Sequence, residues 1–164
     1  MKKIIKTIDS IVTISGYIAG FLCLLLVAVV VYGVFTRYIL RIPSDWSMEI
    51  SQYLFCGISL LATGYALLQG SHVRIDLVRN SLSNKIQKRM DLVQYPIILS
   101  ICVILIWMGG EEFWGAFISN ARSESVLGLP LWPVWSTIPI GGLFLLLAAI
   151  SGFFKLLFKI EKKS

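Results

Sequence analysis

The single histidine of this 164-residue chain, His72, stands two residues before Arg74 and four before Asp76. On a continuing helix, His72 and Asp76 would share a face and could bond; in a turn they would shape the connection instead. An imidazole beside a carboxylate can also pass protons, but a structural role asks less of the surroundings. A second polar group, Asp45, Trp46 and Glu49, lies at the other end of the same apolar stretch. The positive end of a helix suffices to explain Glu49, and a contact with a partner protein is the functional alternative. Arg37 comes just before this group. Its stem can lie in a membrane interface with its head in water, or it can pair with Asp45 or Glu49. Glu111 and Glu112 form a third group, read either as part of a solvated connection or as a surface that steers a basic protein.

None of these groups looks catalytic. There is no nucleophile–base pair, no metal-ligand cluster and no phosphate-binding glycine loop. One histidine cannot supply both axial ligands of a bis-histidine haem, so no cofactor is expected. Cys23, Cys56 and Cys102 fall in different apolar blocks with no pairing pattern, and read as small core residues.

The elements that must position these residues are set by composition. The chain is 57% hydrophobic and 15% charged, with a mean hydropathy of +0.81, whereas a soluble domain carries about 25% charged residues. The net charge of +6 does not form one basic patch; Lys and Arg fall in short clusters between apolar blocks, so no nucleic-acid partner is implied. Ile50 to Ser71 carries no charge and is long enough for one helical crossing of a hydrocarbon core about 30 Å thick. Ser10–Thr36 is longer than the apolar core of a signal peptide and reads as a retained anchor. Leu92–Gly110 is a third crossing, with Ser83 as a possible cap. The run from Ser125 to Phe154 is too long for one ordinary crossing, and Pro130, Pro133 and Pro139 resist a regular interior helix at its start. Gly128–Trp135 is therefore expected to be an interfacial lead-in, with the helix beginning between Val134 and Pro139.

The fold expected is an all-α membrane protein of four transmembrane helices with short loops, near 10–36, 48–71, 84–110 and 134–155. The fourth has a proline-interrupted start, and the whole chain, 1–164, forms a single integral membrane domain. Pro43 stops the first helix, Ser44 is placed to cap the second and Asp45 favours its positive end. Gly57 and Gly64, seven apart on one face, would let another helix approach closely, whether from this chain or a partner. Lys and Arg concentrate at the N-terminus (Lys2, Lys3, Lys6), between the second and third crossings and in the C-terminal tail. Only Arg37, Arg41 and Arg122 fall in the alternate connections. The positive-inside rule then places both termini in the cytoplasm. All five tryptophans, with Glu111, Glu112 and Glu124, fall in or near the outer connections. The crossing cores carry ionisable residues only at their ends, so the chain does not read as a complete pump or carrier.

The order of motifs resembles a known family. Arg37, then PSDWSMEISQY, then a helix bearing glycine and alanine, then GSHVRID is similar to the DctQ-type small membrane subunit of tripartite ATP-independent periplasmic transporters. The matching positions are Arg37, Trp46, Glu49, Gly70, His72 and Asp76, and LPLWPVW…PIGG from Leu129 to Gly142 also fits. At SMEI the chain departs from the family, carrying only Glu49 where relatives pair two acids. The resemblance implies a bacterial inner-membrane subunit that braces a large, many-helix transport subunit. Also implied are sodium-driven import and a periplasmic binding protein that delivers an organic acid. Trp46, Glu49 and the acidic outer connections are the expected outer contacts, with His72, Arg74 and Asp76 organising the cytoplasmic connection. A different class remains open: a membrane anchor for a redox or respiratory enzyme, which would need a second haem ligand from its partner. A self-contained exporter would want a membrane-buried Glu, and none is evident.

Overall fold

A computed structural model describes residues 2–42, 44–69, 84–125 and 127–157. Four helices account for most of it: α1 (Lys2–Tyr38), α2 (Asp45–Leu68), α3 (Asn84–Ile118) and α4 (Trp132–Leu157). All four are long and apolar enough to cross a membrane, and this is a multi-pass membrane protein.

The helices stand in a row. α1 packs on α2, α2 on α4 and α4 on α3, with a smaller contact between α1 and α4. Chain order and spatial order therefore differ, because α4 inserts between α2 and α3. The two inner helices run parallel and the two outer ones flank them antiparallel. The core is small: Ile98 and Cys102 of α3 meet Leu145 and Ala149 of α4, with Leu67, Leu99, Leu105 and Leu146 around them. Most large apolar side chains of α1 point outward, among them Phe21, Leu24, Val31 and Phe35. Lipid is as apolar as a core, so such a helix needs no burial inside its own chain.

Several expectations about local structure change. α1 has 37 residues, begins at Lys2 and is about 55 Å long, so it outruns the hydrocarbon layer. α3 continues through Glu111 and Glu112 to Ile118, so the acidic pair lies exposed on a helix rather than in a connection. The charge-free run ends at Gly110, but glutamate is a good helix former, and Trp107 Nε1 donates to Glu111 Oε1 one turn on at 2.7 Å. The lead-in expected over Gly128–Trp135 is partly helical, since α4 starts at Trp132. Pro133 then falls in the first turn, where a missing N–H removes no bond. Pro139 lies inside the helix and removes one backbone bond without ending it. Of the cysteines, Cys102 is in the core, but Cys23 is exposed on α1. An apolar run does not say which of its faces meets protein.

Candidate functional site

The polar groups collect at the two ends of the row. One end holds the start of α1 and the finish of α4; we call it the terminal end. The other, the loop end, holds the finish of α1, the start of α2 and the connection from α3 to α4.

At the loop end Glu49 is 6% exposed. It sits one turn inside α2, and the connection 119–131 folds over it. Gly128, at φ 55°, makes the turn that lets this connection double back. Arg122 bridges to Pro130, and the Leu131 amide donates to the Ala121 carbonyl at 2.9 Å. The turn delivers Ser125, whose hydroxyl donates to Glu49 Oε2 at 2.5 Å and accepts from Ser123 at 2.8 Å. Tyr53, one turn further along α2, donates to the Pro130 carbonyl at 3.2 Å. Glu49 Oε1 is buried with no hydrogen-bond partner among the described residues. A carboxylate without a matching cation, held by one hydroxyl, is a costly arrangement to bury.

Beside it, the start of α2 is tied to the finish of α1. The Thr36 hydroxyl lies 3.2 Å from Ser44 Oγ, which lies 2.7 Å from Ser47 Oγ. Ser44 occupies the N-cap position, but its hydroxyl makes no cap bond. The expected capping bond is replaced by this lateral contact, because Thr36 of the neighbouring helix competes for the same hydroxyl. Gly33 admits the Ser47 side chain; a Cβ there would collide with Ser47 Oγ. Trp46 packs its ring on Tyr32, centroids 5.2 Å apart. Arg37 is exposed and makes no ion pair with Asp45 or Glu49 among the described residues.

The terminal end is built differently, and its residues were not singled out from sequence. Asp9 of α1 takes a hydrogen bond from Ser151 of α4 on one oxygen, at 2.5 Å, and Lys155 Nζ on the other, at 2.6 Å. Ser151 is fully buried. Ser15, one and a half turns along α1, places its hydroxyl between the carbonyls of Val12 (2.8 Å) and Leu61 (3.3 Å). A small polar residue inside an apolar run was the one available signal.

The two glycines on α2 both face α4, and unequally. A Cβ on Gly64 would stand 2.7 Å from the Phe144 carbonyl oxygen, whereas one on Gly57 would meet only Thr137 Cγ2 at 3.9 Å. Gly64 is needed for close approach, and Gly57 is merely compatible with it. Gly70, His72, Arg74 and Asp76 lie outside the described residues, as does the Ser83 cap. Glu111 and Glu112 stay apart from Glu49, on the exposed side of α3 among Trp107, Trp114 and Phe117.

Residues 26–159 match the family model described as "Tripartite ATP-independent periplasmic transporters, DctQ component". The chain belongs to this family. It is also 28% identical over 159 residues to the sialic acid TRAP transporter small permease protein SiaQ of Vibrio cholerae, covering 96% of this chain and 86% of that one. This DctQ-family chain is thus a small permease subunit of a TRAP transporter. Family membership implies association with a large membrane subunit and a periplasmic binding protein. Nothing in these likenesses favours the redox-anchor reading.

Proposed function

We propose that this subunit is the non-catalytic scaffold of a sodium-driven importer of an organic acid in the bacterial inner membrane. A periplasmic binding protein delivers the substrate, the large subunit moves it, and this chain gives that subunit a fixed wall in the bilayer. The family match over four apolar helices carries the reading. Its neighbour in Vibrio cholerae is named for sialic acid, itself a carboxylic acid, which supports the substrate class. The spread of Lys and Arg supports placing the terminal end in the cytoplasm and the loop end in the periplasm.

In this arrangement Trp46, Glu111 and Glu112 contact partners at the periplasmic side, while Glu49 holds down the connection between α3 and α4 beside them. Gly57 and Gly64 serve packing within the subunit, and His72, Arg74 and Asp76 organise the cytoplasmic connection. The test is co-purification from native membranes with a C-terminal tag and mild detergent. A stoichiometric many-spanning protein without haem or flavin is expected. A haem- or flavin-bearing enzyme in its place, or this chain eluting alone, would refute the scaffold reading.

A further inference from the structure

Between α1 and α2 at the loop end runs an open groove of about 550 Å³. Leu26, Val30 and Val34 of α1 and Phe55 of α2 make its apolar floor, and Arg37 and Gln52 also border it. From Leu26 to Tyr38 it follows α1 for about 18 Å at the helical rise per residue. That is close to the depth of one leaflet, about half of a 30 Å hydrocarbon core. Its polar end coincides with the interfacial residues Arg37, Tyr38 and Ser47, and its apolar end with the middle of the two helices. Its length and apolar lining match one extended acyl chain reaching from the headgroup layer to the bilayer middle.

Charge selects the occupant further. Arg37 is exposed at the head of the groove with no ion-pair partner among the described residues. Neither acid that stands nearby in sequence neutralises it: Glu49 is held by Ser125, and Asp45 makes no ion pair with Arg37 among the described residues. A guanidinium at headgroup depth above an apolar groove about one leaflet long is suited to a phosphate that carries net negative charge.

We infer that the α1–α2 groove is a binding site for one anionic phospholipid, its acyl chain lying along Val30 and Val34 and its phosphate on Arg37. The site is separate from the transporter assignment and stands or falls without it. It also explains why the exposed Arg37 and Gln52 border an otherwise apolar groove: these polar groups meet a headgroup.

The test uses the full chain in its detergent-extracted complex, titrated with dioleoyl phosphatidylglycerol or dioleoyl phosphatidylcholine. Retained lipid is counted by native mass spectrometry. Phosphatidylglycerol should be retained at about fivefold lower concentration, the contribution of one basic side chain beside an anionic headgroup. Arg37→Gln should erase that preference and Arg37→Lys should keep most of it. Val30→Trp, which fills the slot, should lower retention of both lipids. Equal retention of the two headgroups by the natural chain, or a preference that survives Arg37→Gln, would overturn the site. So would a density map of the complex showing a protein side chain along Val30 and Val34.

Discussion

At the terminal end a carboxylate is matched by a cation; at the loop end one is matched by a single hydroxyl. Asp9 spends both oxygens on α4, through Ser151 and Lys155. Glu49 spends one oxygen on Ser125 and leaves the other buried without a partner. Charge compensation makes the terminal end a clamp between the first and last helices. The loop end is held by a connection that must stay folded over an uncompensated acid, so local opening there costs less. Under the scaffold proposal, such a subunit has use for one firm end and one adaptable end.

The firm half is most sharply tested at Gly64. Gly64→Ala puts a methyl group against the Phe144 backbone, which cannot swing aside. A loss of about 2–3 kcal/mol is expected, read as a shifted midpoint in denaturing-detergent titration. An unchanged midpoint would mean that α2 and α4 are not packed this closely. Asp9→Ala is next: with Ser151 and Lys155 both left unpaired, about 1–2 kcal/mol should go. Adding Lys155→Met should recover part of that loss, and high salt should narrow the gap between the natural chain and Asp9→Ala, since the pair is about a third exposed. Strict additivity would show that the clamp contributes nothing.

Ser125→Ala probes the adaptable end. It removes the donor to Glu49 and should cost about 1 kcal/mol, with most of the effect local. Faster proteolysis within 119–131, at nearly unchanged global stability, is the expected signature; equal nicking rates would remove Glu49 as the anchor of that loop. Gly57→Ala should do least, within about 0.5 kcal/mol, because the added methyl meets only ordinary contact distance. A large loss there would erase the distinction between the two glycines.

The four crossings were legible because each needs only a run of apolar residues, which is a local property. Motif order made the family legible as well, and drew notice to Glu49 without revealing its burial or its partner. Partners were not. Ser125 lies 76 residues from Glu49, and Lys155 lies 146 from Asp9, so neither pairing leaves a mark in spacing. The insertion of α4 between α2 and α3 was equally hidden, because lipid-facing and helix-facing apolar residues look alike in a membrane chain. Gly57 and Gly64 looked equivalent on α2, and only the register of α4 tells them apart. The end of the charge-free run at Gly110 points to a connection at Glu111 and Glu112, but charge ends only the apolar layer and not the helix.

The scaffold claim is most directly tested by distance. Spin labels would be placed on α1 and α3, the two outer helices of the row, in the complex reconstituted into liposomes. Their separation would be compared by pulsed electron resonance without sodium and with sodium plus loaded binding protein. A rigid wall keeps one narrow distance distribution throughout. A second distribution appearing under transport conditions would show that this subunit changes shape during the cycle and is not a rigid wall.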